Sequence, residues 1–131
     1  MRHLVVGGYA VMFHTEPRFT KDLDVWVEAD LENAGKLKAA LQRFGGWLQH
    51  MKVEDFAEEK VMYQIGIPPV RVDFLTSVGE LDFGSCWERR SLGKLGGHEA
   101  PFLGLEDLIL AKEAAGREQD LLDLKKLRNA S

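Results

Sequence analysis

The near-continuous apolar run Leu4-Val5-Val6 stops at the pair Gly7-Gly8 and gives way at once to Tyr9-Ala10-Val11-Met12-Phe13. A short apolar run closed by glycines reads as a buried strand, and the residues after it read as a short helix or turn closed by Thr15-Glu16-Pro17. Leu23–Val27 is a second strand. Asp30 then suits the N-cap of a helix whose apolar stripe is Ala34, Leu37, Leu41 and Phe44, with Gly45-Gly46 as its stop. From Trp47 to Glu59 the pattern is weaker and suggests a strand and a short helix. Val61–Ile65 and Val70–Leu75 are two strands joined through Gly66-Ile67-Pro68-Pro69. Gly93 to Gly97 and Pro101 mark turns in a loop or hairpin. Leu105–Ala115 is a helix ended by Gly116, and Asp120–Arg128 is another. This order implies an α/β or α+β sheet with helices packed on it.

Length and composition leave room for one such domain, spanning residues 1–131. Apolar residues make up 45% and charged residues 29%, which excludes a disordered chain. No window reaches the roughly 18 apolar residues of a membrane span, and the N-terminal apolar run is too brief for a signal peptide. Cys86 alone can form neither an internal disulfide nor an all-cysteine metal site. With 17 Lys and Arg against 21 Asp and Glu, the chain lacks the basic excess of a general nucleic-acid coat. A compact cytoplasmic domain is the expectation.

Four features carry chemistry. Gly7-Gly8 sits between a strand and a helix, where glycines let the backbone approach a ligand and helix N–H groups face a phosphate; the alternative is a plain tight turn. In Asp22-Leu23-Asp24, strand alternation puts both carboxylates on one face and Leu23, Val25 and Val27 on the other. Such a pair repels itself unless a cation sits between, and hard oxygen donors suit Mg²⁺; otherwise one aspartate caps a turn and the other is solvated. Asp73 lies between Val72 and Phe74, sharing a face with Arg71. It is either a third carboxylate, as metal ligand or general base, or the surface partner of Arg71 on an edge strand.

Lys112 is the fourth. Leu105, Leu108, Ile109 and Lys112 follow helical spacing, so the lysine occupies the centre of an apolar stripe and must snorkel outward or meet a carboxylate or phosphate. On that view, replacing it with Met should cost little stability. Asp120 and Asp123, behind Arg117, share one helical face that is either solvated or anchors Lys112. His3, His14, His50 and His98 show no metal-ligand spacing.

Taken together, Val5-Val6-Gly7-Gly8-Tyr9-Ala10-Val11, then Pro17-Arg18-Phe19-Thr20-Lys21-Asp22-Leu23-Asp24-Val25, then Arg71-Val72-Asp73-Phe74-Leu75, resemble the nucleotidyltransferase superfamily of DNA polymerase β-like fold. Tyr9 stands where many members carry Ser or Thr. Lys112-Glu113-Ala114-Ala115-Gly116-Arg117 and Asp120-Leu121-Leu122-Asp123-Leu124 are similar to the Lys and Asp-x-x-Asp motifs of the branch related to abortive-infection type IV toxins. The resemblance runs nearly the whole length. It implies a nucleotidyltransferase-like mixed sheet with helices packed on it, and a Mg²⁺ (or Mn²⁺) site made by Asp22, Asp24 and Asp73.

The same resemblance implies that Gly7, Gly8, Tyr9, Arg18, Lys112, Asp120 and Asp123 serve nucleotide binding, with Asp22, Asp24, Asp73 and Lys112 catalytic. The implied partners are an NTP, an acceptor hydroxyl on an RNA end, a protein side chain or a small molecule, and a cognate protein in a toxin–antitoxin-like setting. The rival expectation is a catalytically weak nucleotide-binding or antitoxin-like regulatory module, since a fold does not carry its activity automatically.

Overall fold

The computed structural model describes residues 1–43, 45–47, 49–66 and 71–130. The N-terminal apolar run forms strand β1, His3–Val6, inside a six-stranded mixed sheet. The other strands are β2 (Asp22–Val27), β3 (Met62–Ile65), β4 (Arg71–Leu75), β5 (Ser91–Leu95) and β6 (His98–Phe102), in the spatial order β3-β4-β2-β1-β6-β5. β1 runs antiparallel to β2, placing Val6 opposite Asp24. β2 runs parallel to β4, placing Asp24 opposite Asp73 and Asp22 opposite Arg71. The two outer pairs, β3 with β4 and β5 with β6, are antiparallel.

Alternation along β2 decides the layering. Val25 and Val27 point to one face, where they pack with Phe74, with Ala34 and Leu37 of helix α2 (Leu31–Arg43), and with Phe56 of a 3-10 turn at Val53–Ala57. Trp26 points to the opposite face and joins a larger cluster. That cluster takes Ala10 and Val11 from α1 (Gly7–His14), Phe83 and Cys86 from α3 (Phe83–Glu88), Leu108 from α4 (Leu105–Ala115) and Leu127 from α5 (Glu118–Ala130). Asp22 and Asp24 share the Trp26 side, so the acidic pair looks toward α1, α4 and α5. Among the described residues no helix is long and apolar enough to cross a membrane.

Most expected elements form, and the exceptions have physical reasons. The Asp30 side chain accepts the Asn33 N–H at 2.7 Å, capping α2 as its sequence suggests. Gly116 ends α4 in the left-handed conformation, φ +62°. Helix α1 begins at Gly7 rather than Tyr9, because the extended backbone of Val6 turns into it through a positive φ of +65° at Gly7. Helix α3 has no counterpart in the periodicity: its six residues are too few to show a stripe, although Asp82 caps Ser85 N–H at 3.0 Å. Between Trp47 and Glu59 the described residues hold the 3-10 turn and no strand. The edge-strand alternative for Asp73 is overturned, since β4 lies between β3 and β2. Phe44, Ile67, Pro68, Pro69 and Val70 lie outside the described residues.

Candidate active site

The end of β1, the start of β2 and the middle of β4 meet at one place because of their register. Val6 opposite Asp24, and Asp24 opposite Asp73, set the two carboxylates side by side on adjacent strands directly after the Gly7 turn. A Cβ on Gly7 would overlap Asp24 Oδ2, so this glycine is required by close approach as well as by its positive φ. A Cβ on Gly8 would stand 2.9 Å from Thr20 Oγ1 and 3.0 Å from Arg18 Nη2. No side chain caps the α1 N-terminus, and its first turn carries no acidic residue. Gly7 therefore brings bare backbone against the acidic strand, and Gly8 brings it against Thr20 and Arg18 in the segment before that strand.

The carboxylates are electrostatically crowded. Burial, then the charge of Asp73, the hydrogen bond shared with it and the charge of Asp22 push the Asp24 carboxyl up to about 7, while Lys112 pulls the other way. Asp73 is buried and accepts a hydrogen bond from Gln64 Nε2 at 2.9 Å. Arg71 donates to Gln64 Oε1 at 3.4 Å, so Arg71 braces the amide that holds Asp73 and is not its direct partner. Asp22 Oδ1 is buried without a hydrogen-bond partner. As placed, no three His, Cys, Asp or Glu side chains among the described residues form a metal cluster. The donor set nonetheless fits a divalent cation: an orphaned buried carboxylate oxygen beside a repelling carboxylate pair is relieved by a hard positive charge.

A chain of ion pairs faces this acidic strand. Lys112 does not snorkel; it is 7% exposed, with Nζ 3.0 Å from Asp120 Oδ1 and 3.1 Å from Asp123 Oδ2. The Asp120–Asp123 face thus anchors Lys112 and is not solvated. Arg117 Nε reaches Asp120 Oδ2 at 2.7 Å, and the Arg117 backbone N–H donates to the same oxygen at 3.1 Å, which is half of a capping box at the start of α5. Arg18 Nη2 lies 3.2 Å from Asp123 Oδ2. Burial opposes ionisation of Asp120, but the hydrogen bonds from Arg117 and Lys112 outweigh it and hold the carboxyl at about 2. Three cations interleave with two carboxylates, leaving one net positive charge.

A cavity of about 150 Å³ lies between the two arrays, walled by Gly7, Asp24, Lys112, Arg117 and Asp120 together with Ser77 and apolar side chains. Of the residues singled out in the sequence, Gly7, Asp24, Lys112 and Asp120 share this cavity, and Asp73 adjoins it across the strand pair. Gly8, Arg18 and Asp123 stand behind, linked through the ion pairs and the Gly8–Arg18 approach. Tyr9 packs against the larger core cluster instead. Gln64 and Thr20 gave no signal in the sequence, because a lone amide or hydroxyl acquires meaning only from strand register. Arg117 could have been found from its place at the N-cap three residues before Asp120.

No protein-family model matches the chain, and no curated protein matches its sequence. Solved structures do match its fold. The lincosamide antibiotic adenylyltransferase LnuA in its lincomycin-bound form superposes with a TM-score of 0.62 at 15% identity, over 99% of this chain and 87% of that one. The Thermotoga maritima protein TM1012, provisionally described as a nucleotidyltransferase, gives 0.58 at 18% identity over 99% and 83%. An antigenic nucleotidyltransferase-like protein from Paracoccidioides brasiliensis gives 0.54 at 16% over 96% and 66%. The six-stranded mixed sheet with its flanking helices is therefore a nucleotidyltransferase fold.

Proposed function

We propose that residues 1–131 form one catalytic domain that transfers a nucleoside monophosphate from an NTP to an acceptor hydroxyl, on an RNA end, a protein side chain or a small molecule. The observation that carries this is the Asp24–Asp73 pair on adjacent strands, with the Gly7 backbone pressed against Asp24. In the reaction, the acceptor oxygen attacks the α-phosphorus and the bond to the β-phosphate bridge breaks. Pyrophosphate leaves, and Asp73 takes the hydroxyl proton. Asp22, Asp24 and Asp73 would hold Mg²⁺ or Mn²⁺, which would supply charge neutralisation at the phosphates. Gly7 and Gly8 let the triphosphate approach the α1 N-terminus, and Lys112 offers it a cation already set in place by Asp120 and Asp123. Arg18 braces that array through Asp123.

The Lys112–Asp120–Asp123 array also supports the branch related to abortive-infection toxins, and with it a cytoplasmic setting and a cognate protein partner. The rival reading, a catalytically weak nucleotide-binding module, draws on the same array: with two carboxylates already on Lys112, a triphosphate must compete for it. Incubation with each NTP and Mg²⁺ separates the two. Release of pyrophosphate, with a nucleotidyl mass increment on an RNA, protein or small-molecule acceptor and neither with Asp24→Asn, supports transfer. NTP binding without pyrophosphate release for any acceptor class supports the rival.

A further inference from the structure

Three cations interleave with Asp120 and Asp123, and their placement decides which of them has charge to spare. Lys112 is buried and meets the two carboxylates at 3.0 and 3.1 Å, so its ammonium is already matched by two anions. Arg18 does not line the cavity; its side chain is 20% exposed and pairs with Asp123 at 3.2 Å. Arg117 differs from both. It lines the cavity together with Asp24, its side chain is 78% exposed, and Asp120 is its one ion-pair partner among the described residues. Its guanidinium grips Asp120 through Nε at 2.7 Å and Nη2 at 3.3 Å. A guanidinium carries five N–H donors in one plane, so three remain for an anion that enters the cavity.

The array also leaves this side chain able to change partners. Without the Arg117 guanidinium, Asp120 keeps Lys112 Nζ at 3.0 Å and the Arg117 backbone N–H at 3.1 Å. Withdrawing Lys112 instead would strip a positive charge from Asp120 and Asp123 together, both of them buried. Of the two cations that line the cavity, Arg117 is the one that can turn away from its carboxylate at little cost.

We propose that Arg117 is the residue that takes hold of the nucleotide's phosphate chain, its guanidinium turning from Asp120 to phosphate oxygens while Lys112 contributes its charge in place. This rests on the nucleotide-binding reading of the same cavity. The planar fork can give phosphate two parallel N–H···O bonds, which the point charge of an ammonium does not.

Inorganic tripolyphosphate with Mg²⁺ is the first probe, because it carries the phosphate chain without a base; each NTP and its monophosphate follow. Calorimetric titration compares the wild-type chain with Arg117→Gln and Arg117→Lys. Arg117→Gln should weaken tripolyphosphate and NTP binding by about tenfold or more, the scale of a charge-assisted contact, and weaken the monophosphate less. Arg117→Lys keeps the charge without the fork and should recover part of the loss. The ratio of triphosphate to monophosphate affinity is the deciding readout, since a merely structural role would lower both alike. Without ligand, Arg117→Gln should melt near the wild-type temperature, as Asp120 keeps two partners; if it does not fold, the same ratio in Arg117→Lys decides. An unchanged ratio overturns the role of Arg117 and leaves nucleotide transfer standing. A wild-type chain that binds neither tripolyphosphate nor any NTP overturns both.

Discussion

Asp24 is a carboxylate whose neighbours oppose its charge. Its folded pKa of about 7 lies above the unfolded value near 3.8, so its contribution to stability is complete below about pH 4 and is lost as pH rises through 7. Asp24→Asn should therefore raise the metal-free stability by about 1–2 kcal/mol at pH 8, after allowance for solvent screening, and change it little at pH 4. Thermal unfolding at the two pH values checks this; an equal effect at both would mean that Asp24 is not crowded. Asp73 has a different role in the proposed reaction. Because it acts at the attacking oxygen, Asp73→Asn should retain most NTP affinity and lose transfer by about 10²-fold or more, measured as turnover against binding.

Elements matter where they force side chains together. The α4–α5 corner brings Lys112 against Asp120 and Asp123, each of them about 1% exposed. The sequence alone suggested that Lys112→Met would cost little. Two buried carboxylates change that: losing the lysine leaves Asp120 to the exposed Arg117 and Asp123 to Arg18, and the cost should be about 3 kcal/mol. A double-mutant cycle with Asp123→Asn should recover part of it, since the second change removes one of the two carboxylates that lost the lysine. Purely additive losses in denaturant unfolding would show that the pair is not coupled. At the other junction, Gly7→Ala meets both a left-handed backbone and the Asp24 carboxylate. Its cost should exceed the roughly 1 kcal/mol of backbone strain alone. Gly35→Ala, with open space at its Cβ in mid-α2, serves as the control and should be neutral or stabilising.

For the whole molecule the decisive quantity is linkage. A nucleotide bound only by the folded chain stabilises it by about 2.7 kcal/mol at a concentration one hundred times its Kd. In a domain of 131 residues that corresponds to a rise in Tm of about 10 °C. NTP with Mg²⁺ should produce such a shift, and Asp24→Asn should abolish it. Equal shifts in the two proteins would remove Asp24 from the binding site and leave the ion-pair array of α4 and α5 as the nucleotide contact.

Local pattern made the fold readable: the run from Leu4 to Gly8, the alternation in β2, the Asp30 cap and the Gly116 stop each depend on neighbours along the chain. The same pattern put Asp22 and Asp24 on one face and grouped Asp120 with Asp123. What it left open was every choice between a lone residue and its partner. Asp73 on an edge strand or an inner one, Lys112 in solvent or between carboxylates, and whether Arg71 is the partner of Asp73 are settled by contacts between elements far apart in sequence. A single chain position carries periodicity, burial preference and cap chemistry, but strand order and helix docking decide which charge it meets. The fold was therefore legible from the sequence, whereas the electrostatics of the site existed only once β2, β4, α4 and α5 had been brought together.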